Sequence, residues 1–164
     1  TQLNADPAIK ARLLIAGEGP ERPALEQRIR HNRLEASVML AGARRDVAAL
    51  LNAADLFVLS SDIEGMPLAL GEALACGRPV VSTDAAGVED LLGECGEIVP
   101  RGNAPALAVA MHKALAAGQG TAAEQAARRQ RIVSRFSLEA VARQWLACYA
   151  SLARTPPVAC TEPV

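Results

Sequence analysis

The chain has 164 residues, a formal net charge of −1 and a hydrophobic content of 51%, which fits one globular domain with a real core. Basic residues are not in excess, so the composition gives no support to a nucleic-acid-binding protein. Aromatic residues make up only 2%, which argues against a stacking platform for single strands, and no apolar run reaches the roughly 18 residues of a membrane span.

After ten largely polar residues without a clear pattern, an apolar run has the character of a buried strand. Residues 11–16 predict this strand, and a helix is predicted from about Glu21 to Leu34. The Gly-Glu-Gly-Pro turn at residues 17–20 lies between them. A glycine-rich turn in this position can cradle a phosphate, but tight strand-to-helix turns need glycine for backbone reasons alone, and we favour the second interpretation.

A second strand and helix follow. Residues 37–40 predict the strand, which ends at Gly42. Asp46 is predicted to be the N-cap of a helix over residues 47–53.

The stretch from Ser60 to Val81 is the most informative part of the chain. It follows one apolar run of strand length, residues 55–59, and leads into another, residues 79–83. Between them Pro67 can open a helix and Gly77 can close it. The segment therefore predicts strand, loop, helix, loop and strand, which is a parallel crossover unit.

Two carboxylates, Glu64 in the loop and Glu72 in the helix, lie at the carboxyl rim of this unit. If the helix begins near Pro67, the unpaired amides from Met66 to Leu68 and the positive end of the helix dipole form an anion site that fits a diphosphate. Glu72 can accept two hydrogen bonds from a vicinal diol such as a ribose. Glu64, on the other side of the anion site, can hold whatever the diphosphate carries.

The last third of the chain is mainly helical. The predicted elements are a loop and helix start at 84–89, a strand at 96–100, a helix at 104–117 capped by Asn103, and helices at 121–135 and 137–152, the last capped by Ser137. The apolar residues Val141, Trp145, Leu146 and Tyr149 fall at helical spacing and are predicted to pack against the domain. Residues 154–164, which contain three prolines, look like a flexible tail.

The four cysteines are Cys76, Cys95, Cys148 and Cys160. They lack the spacing of metal ligands and form no dense disulfide framework. We therefore expect a protein of the reducing cytoplasm without a metal site.

The pattern around the two carboxylates resembles a known family. From Ser61 it reads S-x-x-E-G-x-P-x-x-x-x-E-A-x-A-x-G-x-P-V-V, preceded by A-D-L-F-V-L-S and followed by A-G-V-E-D-L-L. Further matches are L-L-I-A-G-E-G-P, G-A-R-R-D-V and F-S-L-E. Together they are similar to the donor-binding half of retaining glycosyltransferases of family 4, which have the two-domain GT-B architecture.

The resemblance implies a fold and a reaction. The fold is α/β: a doubly wound, Rossmann-like parallel sheet of about five strands, helices on both faces and a helical C-terminus. Residues 1–153 would be the nucleotide-sugar-binding domain. The intact protein would transfer a sugar from a UDP- or GDP-hexose to an acceptor hydroxyl with retention, without a cofactor or an obligatory metal, in cell-surface glycan or lipopolysaccharide synthesis.

The resemblance also assigns residues. Glu64 would position the donor sugar as the catalytic carboxylate, Gly65, Met66, Pro67 and Leu68 would hold the diphosphate, and Glu72 would bind the ribose. The backbone around Arg44 would contact the base; the alternative, that Arg44 is a solvated rim charge, stays open.

The family's donor domain has one more strand, which would precede Thr1 and lie at the centre of the sheet. Without it, the strands at Leu13 and Leu56 either pair directly or leave two apolar edges open. We therefore expect a fragment that lacks the acceptor-binding N-terminal domain and the family's diphosphate-binding arginine and lysine, and that transfers no sugar alone.

Two other functions remain open at this stage. A sugar-nucleotide epimerase of the same architecture would share the donor pocket, and a non-catalytic nucleotide-binding domain would need no acceptor site. In each case we expect a cytoplasmic protein, with peripheral association at the inner face of the membrane left open.

Overall fold

The computed structural model describes residues 10–153 as an α/β fold. In chain order the elements are β1 (Leu13–Ala16), α1 (Arg22–His31), β2 (Val38–Gly42), α2 (Val47–Ala53), β3 (Phe57–Leu59), α3 (Leu68–Ala75), β4 (Val80–Thr83), α4 (Val88–Leu92), β5 (Glu97–Val99), α5 (Ala104–Ala117), α6 (Ala122–Phe136) and α7 (Leu138–Ala153). Each of them was predicted, with boundaries that differ by a few residues at most. The predicted tail, residues 154–164, lies outside the described residues.

The five strands form two parallel sheets. β1 pairs with β2, and β3, β4 and β5 form a three-stranded sheet in that order. β1 and β3 do not pair, so the arrangement with two open strand edges is the one found within residues 10–153. Leu13 and Leu14 point to opposite faces of β1 and are 43% and 42% exposed, so the small sheet is only thinly covered on either side.

The core lies on both faces of the three-stranded sheet. Val80 packs with Leu74 of α3 and Leu92 of α4, whereas the next residue, Val81, packs with Ala110 of α5. Successive strand residues point to opposite faces, so α3 and α4 cover one face and α5 the other. The prediction of helices on both faces of a parallel sheet is confirmed.

The segment from residue 10 to residue 46 contributes no buried side chain. Even α1 has none. The apolar burial that stabilises the described part of the domain therefore comes from residues after α1 and β2.

Local signals in the sequence fix several helix ends. Asn103 Oδ1 accepts a hydrogen bond of 3.0 Å from Ala106 N at the start of α5, as predicted. Thr121 and Glu124 form a reciprocal capping box at the start of α6, which satisfies two backbone donors. Gly77 follows α3 with φ +72°, a conformation that favours glycine.

Four arginines along α6 bind the carboxyl-terminal ends of α3 and α4. The contacts are Arg128 Nη1 to Gly77 O at 3.1 Å, Arg129 Nη1 to Ala75 O at 2.7 Å, Arg131 Nε to Leu91 O at 2.6 Å, Arg131 Nη2 to Asp90 O at 2.8 Å and Arg135 Nη1 to Asp90 O at 3.3 Å. Carbonyls at a helix end lack intrahelical partners and carry the negative end of the dipole. The guanidinium groups donate hydrogen bonds to these carbonyls and place positive charge at the negative end of each dipole. They thereby tie α6 to α3 and α4.

The last helix departs from the prediction. Trp145, Leu146 and Tyr149 were predicted to pack, but they are 57%, 68% and 59% exposed, and Val141 is only half-buried. α7 packs along α6, with Ala140 as its buried residue. Helical spacing places apolar residues on one face of a helix, but it does not supply an element to cover that face.

Candidate functional site

The site predicted from the sequence lies where β3 ends and α3 begins. Because all strands run parallel, the strands of each sheet end at one edge, where open α/β sheets bind ligands. Residues 60–67 leave β3 at this edge and carry Glu64, which is half-buried. Glu72 follows on the second turn of α3 and is exposed.

The start of α3 presents free backbone donors. The first amides of the helix with an acceptor are those of Leu70 and Gly71, which both donate to Pro67 O, at 3.0 and 3.3 Å. The N–H groups of Gly65, Met66 and Leu68 donate to no acceptor among residues 10–153. Pro67 has no N–H and contributes only its fixed φ, so it does not act as a donor in the predicted anion site.

The two glutamate side chains are free of internal bonds. Neither the Glu64 nor the Glu72 carboxylate forms a hydrogen bond or an ion pair with another residue in the described range. A carboxylate can accept several hydrogen bonds, so both retain their full capacity for a ligand.

The loop that carries Glu64 is held from neighbouring strand ends. Thr83 Oγ1, at the end of β4, donates to Ser61 O at 2.6 Å. A Cβ on Gly87 would lie 2.7 Å from Gly65 O, and Gly87 has φ +77°. Only glycine fits this close approach without strain, so the turn before α4 lies directly against the loop.

A third contact to the loop comes from the end of β5. Arg101 Nη1 donates to Asp62 O at 3.0 Å. Arg101 is also bound to Asp84, through its backbone N at 2.8 Å and its Nε at 3.0 Å. The backbone N–H of Arg101, followed by its side chain, lowers the pKa of Asp84 below its ordinary value, because hydrogen bonds to the charged form favour it.

Arg44 follows β2 at the corresponding edge of the small sheet. Its Nε and Nη2 donate to Asp46 Oδ1 and Oδ2 at 2.8 and 2.6 Å, and this fork lowers the pKa of Asp46. Asp46 is the N-cap residue of α2, as predicted, but its side chain makes no cap hydrogen bond. The bidentate guanidinium occupies both carboxylate oxygens instead.

An open cavity of about 260 Å³ lies at the turn that follows β1. It is lined by Ile15, Leu25, Leu40 and residues 17–22, so it opens at the carboxyl ends of β1 and β2. Gly42 adjoins it, since a Cβ there would lie 2.8 Å from Glu18 Oε1. A larger cavity of about 590 Å³ lies elsewhere, between α6 and the turn at residues 93–95 that enters β5.

Residues 10–153 contain no group of three His, Cys, Asp or Glu placed to hold a metal ion. Cys76, Cys95 and Cys148 are free thiols, and Cys160 lies outside the described residues. No helix in the described part of the chain is long and apolar enough to cross a membrane.

The fold and the rim of free amides and carboxylates define a class of protein. Parallel strands with helices on both faces and a helical C-terminus form the Rossmann-like half of a GT-B protein. Anabaena Alr3699/HepE, solved in complex with UDP, superimposes with a TM-score of 0.77 at 26% identity, over 86% of this chain and 41% of that one.

The sequence comparison narrows the class to a family. The family described as "Glycosyl transferases group 1" matches residues 1–117, and the chain belongs to it. The putative colanic acid biosynthesis glycosyltransferase WcaL of Salmonella typhimurium is 34% identical over 154 residues, which cover 87% of this chain and 38% of WcaL. The amylovoran biosynthesis glycosyltransferase AmsK of Erwinia amylovora is 38% identical over 104 residues, 57% of this chain and 26% of AmsK.

The chain therefore spans less than half of the length of these relatives. The family match ends before α6 and α7.

Proposed function

We propose that residues 1–153 are the donor-binding domain of a retaining family 4 glycosyltransferase. The complete protein, of the length its relatives have, would transfer a hexose from a UDP- or GDP-sugar to an acceptor hydroxyl. The observation that carries this proposal is the start of α3, where free amides stand between two carboxylates without internal partners.

Each group has a role in this proposal. The N–H groups of Gly65, Met66 and Leu68, with the positive end of the α3 dipole, bind the diphosphate. Glu72 accepts hydrogen bonds from the two ribose hydroxyls. Glu64 accepts hydrogen bonds from hydroxyls of the donor sugar and so holds it as the catalytic carboxylate.

The base would contact the backbone of the turn at Arg44. The bidentate pair of Arg44 and Asp46 supports this role, because it fixes the turn and keeps the Arg44 guanidinium bound to the Asp46 carboxylate. In this arrangement the main chain, rather than the arginine side chain, faces the nucleotide.

Catalysis at such a site is electrostatic. When the bond between the anomeric carbon and the diphosphate breaks, negative charge collects on the leaving group, and preorganised N–H donors stabilise it. Glu64 is not proposed as a covalent nucleophile, because the sequence supplies no second carboxylate at a known distance from it, as a glycosidase pair requires. The part of the protein outside these 164 residues would bind the acceptor. It would also supply the arginine and lysine with which the family binds the diphosphate.

The relatives support a role in polysaccharide assembly. WcaL and AmsK are named for colanic acid and amylovoran biosynthesis, and HepE has also been solved with UDP-glucose. We infer a nucleotide-sugar donor, a glycan or lipid-linked sugar as acceptor, and a cytoplasmic location with peripheral contact to the inner membrane face.

The test is a transfer assay on the complete protein with radiolabelled UDP-glucose and GDP-mannose. We expect the label to leave the nucleotide, and nuclear magnetic resonance of the product to give the anomeric configuration of the donor. Interconversion of free nucleotide sugars without transfer would indicate an epimerase. Tight binding of UDP without either reaction would indicate a binding domain.

A further inference from the structure

The loop of residues 60–67 depends on its neighbours for its shape. No backbone hydrogen bond joins two residues of the loop, and Ile63 and Met66 are exposed. Contacts from outside the loop reach the carbonyls of Ser61, Asp62 and Gly65. The position of Glu64 is therefore set by residues that lie elsewhere in the chain.

Arg101 is the only side chain in the described range that forms a hydrogen bond to Asp62. Its direction is fixed by Asp84, which accepts from both the backbone N and the Nε of Arg101 at the same Oδ1. Asp84 N in turn donates to Val99 O at 3.0 Å, at the end of the sheet. The contacts therefore run without a gap from the rigid strand ends to the carbonyl two residues before Glu64.

We propose that Arg101 is a positioning residue for Glu64: held by Asp84, it fixes the loop so that Glu64 meets the donor sugar. This inference rests on the proposed function, and it adds a specificity-determining contact outside the motif that carries the two glutamates. Arg101 acts mainly on the sugar subsite, because it holds the loop at Asp62, two residues before Glu64. Leu68 and Glu72 lie on α3, and Gly65 has a separate contact with Gly87, so the diphosphate and ribose subsites depend less on Arg101.

The exposure of the pair supports this role. The side chains of Arg101 and Asp84 are 50% and 48% exposed, and ion pairs of that kind contribute little to global stability. Arg101 donates two hydrogen bonds to Asp84 Oδ1 and a third to Asp62 O. These bonds therefore set the local position of the loop rather than the stability of the domain.

The experiment compares two ligands in the complete protein. Titration calorimetry gives the Kd of UDP and of UDP-glucose for the unmodified protein and for Arg101→Ala, Arg101→Lys and Asp84→Ala. Arg30→Ala, an exposed arginine of α1, is the matched control. Hydrogen exchange of residues 61–66 without ligand reports on the loop directly.

We expect Arg101→Ala to raise the Kd of UDP-glucose about tenfold, the loss that follows when a displaced Glu64 gives up about one hydrogen bond to the sugar, and to leave the Kd of UDP within about twofold. Exchange in the loop rises. Arg101→Lys keeps the charge but cannot reach both Asp84 and Asp62, so it behaves like alanine. Asp84→Ala gives the same division between the two ligands and carries the test if Arg101→Ala does not fold.

Three results would overturn the inference. Equal weakening of UDP and UDP-glucose would show that Arg101 acts on the diphosphate subsite, either directly or through Gly65 and Met66. Unchanged affinity of the lysine variant for UDP-glucose would reduce the role of Arg101 to its charge. Behaviour identical to Arg30→Ala would remove any role. Failure of the unmodified protein to bind either ligand is a different outcome: it overturns the proposed function, and with it this inference.

Discussion

Replacing Glu72 by alanine separates ligand binding from folding. The Glu72 side chain is exposed and has no partner among residues 10–153, so the free energy of unfolding should change by less than about 0.5 kcal/mol. A hydrogen bond to a charged group contributes about 1.5–3 kcal/mol. At an exposed rim the lower figure applies, and one or two such bonds to a ribose amount to about 1.5–3 kcal/mol, or about a 10- to 100-fold rise in the Kd of UDP.

The assay is calorimetric titration of UDP into the complete protein, together with chemical denaturation of each variant. Glu35→Ala is the matched control, because Glu35 is also exposed and precedes β2, at the opposite edge of the small sheet. Glu72→Gln keeps the size of the side chain and should recover part of the affinity. Unchanged binding by Glu72→Ala, or equal loss in Glu35→Ala, would refute the assignment of Glu72 to the ribose.

Three further predictions concern stability and the shape of the site. Leu74→Ala, at a side chain with 0% exposure, should lower the free energy of unfolding by about 2–5 kcal/mol in urea denaturation. Gly87→Ala places a methyl group 2.7 Å from Gly65 O at positive φ, so we expect about 1–2 kcal/mol of strain and weaker binding of UDP-glucose; unchanged binding would contradict the contact. Asp46 and Asp84 have lowered pKa values, so their stabilisation is complete above the ordinary aspartate pKa and is lost as the pH falls through the lowered one; melting temperatures of the unmodified protein and Asp84→Asn should converge in acid.

Elements whose ends are marked by capping or helix-ending residues could be predicted from the sequence. α5 runs from Ala104 to Ala117 as expected, because Asn103 and Gly118 mark its ends within one turn of the chain. α2 likewise has the predicted bounds. These signals act between neighbouring residues and need no knowledge of the rest of the fold.

Features that depend on distant residues could not be predicted. The Asp46 side chain was a reasonable cap by residue type, but its Arg44 neighbour competes for it. The spacing of Trp145 and Tyr149 predicted the helix, but it could not predict whether another element covers that face of it. The division into two sheets depends on which strands meet in space, and an apolar run does not specify its partner.

The candidate site divides in the same way. The motif located Glu64, Glu72 and the start of α3, because glycine and proline punctuate that crossover. Arg101 was missed, since 39 residues separate it from Asp62 and no local pattern distinguishes it from other exposed arginines. The roles of these residues in donor binding stay predictions.

The arginines of α6 bear on where the domain can be divided. The family match stops at residue 117, and a boundary drawn there would discard Arg128, Arg129, Arg131 and Arg135, whose guanidinium groups satisfy carbonyls of α3 and α4. Glu72 lies on α3, and the free amides lie at the start of the same helix. A chain shortened at residue 117 would therefore hold these groups less firmly. Anyone dissecting this protein should keep the carboxyl-terminal helices with the segment that they clamp.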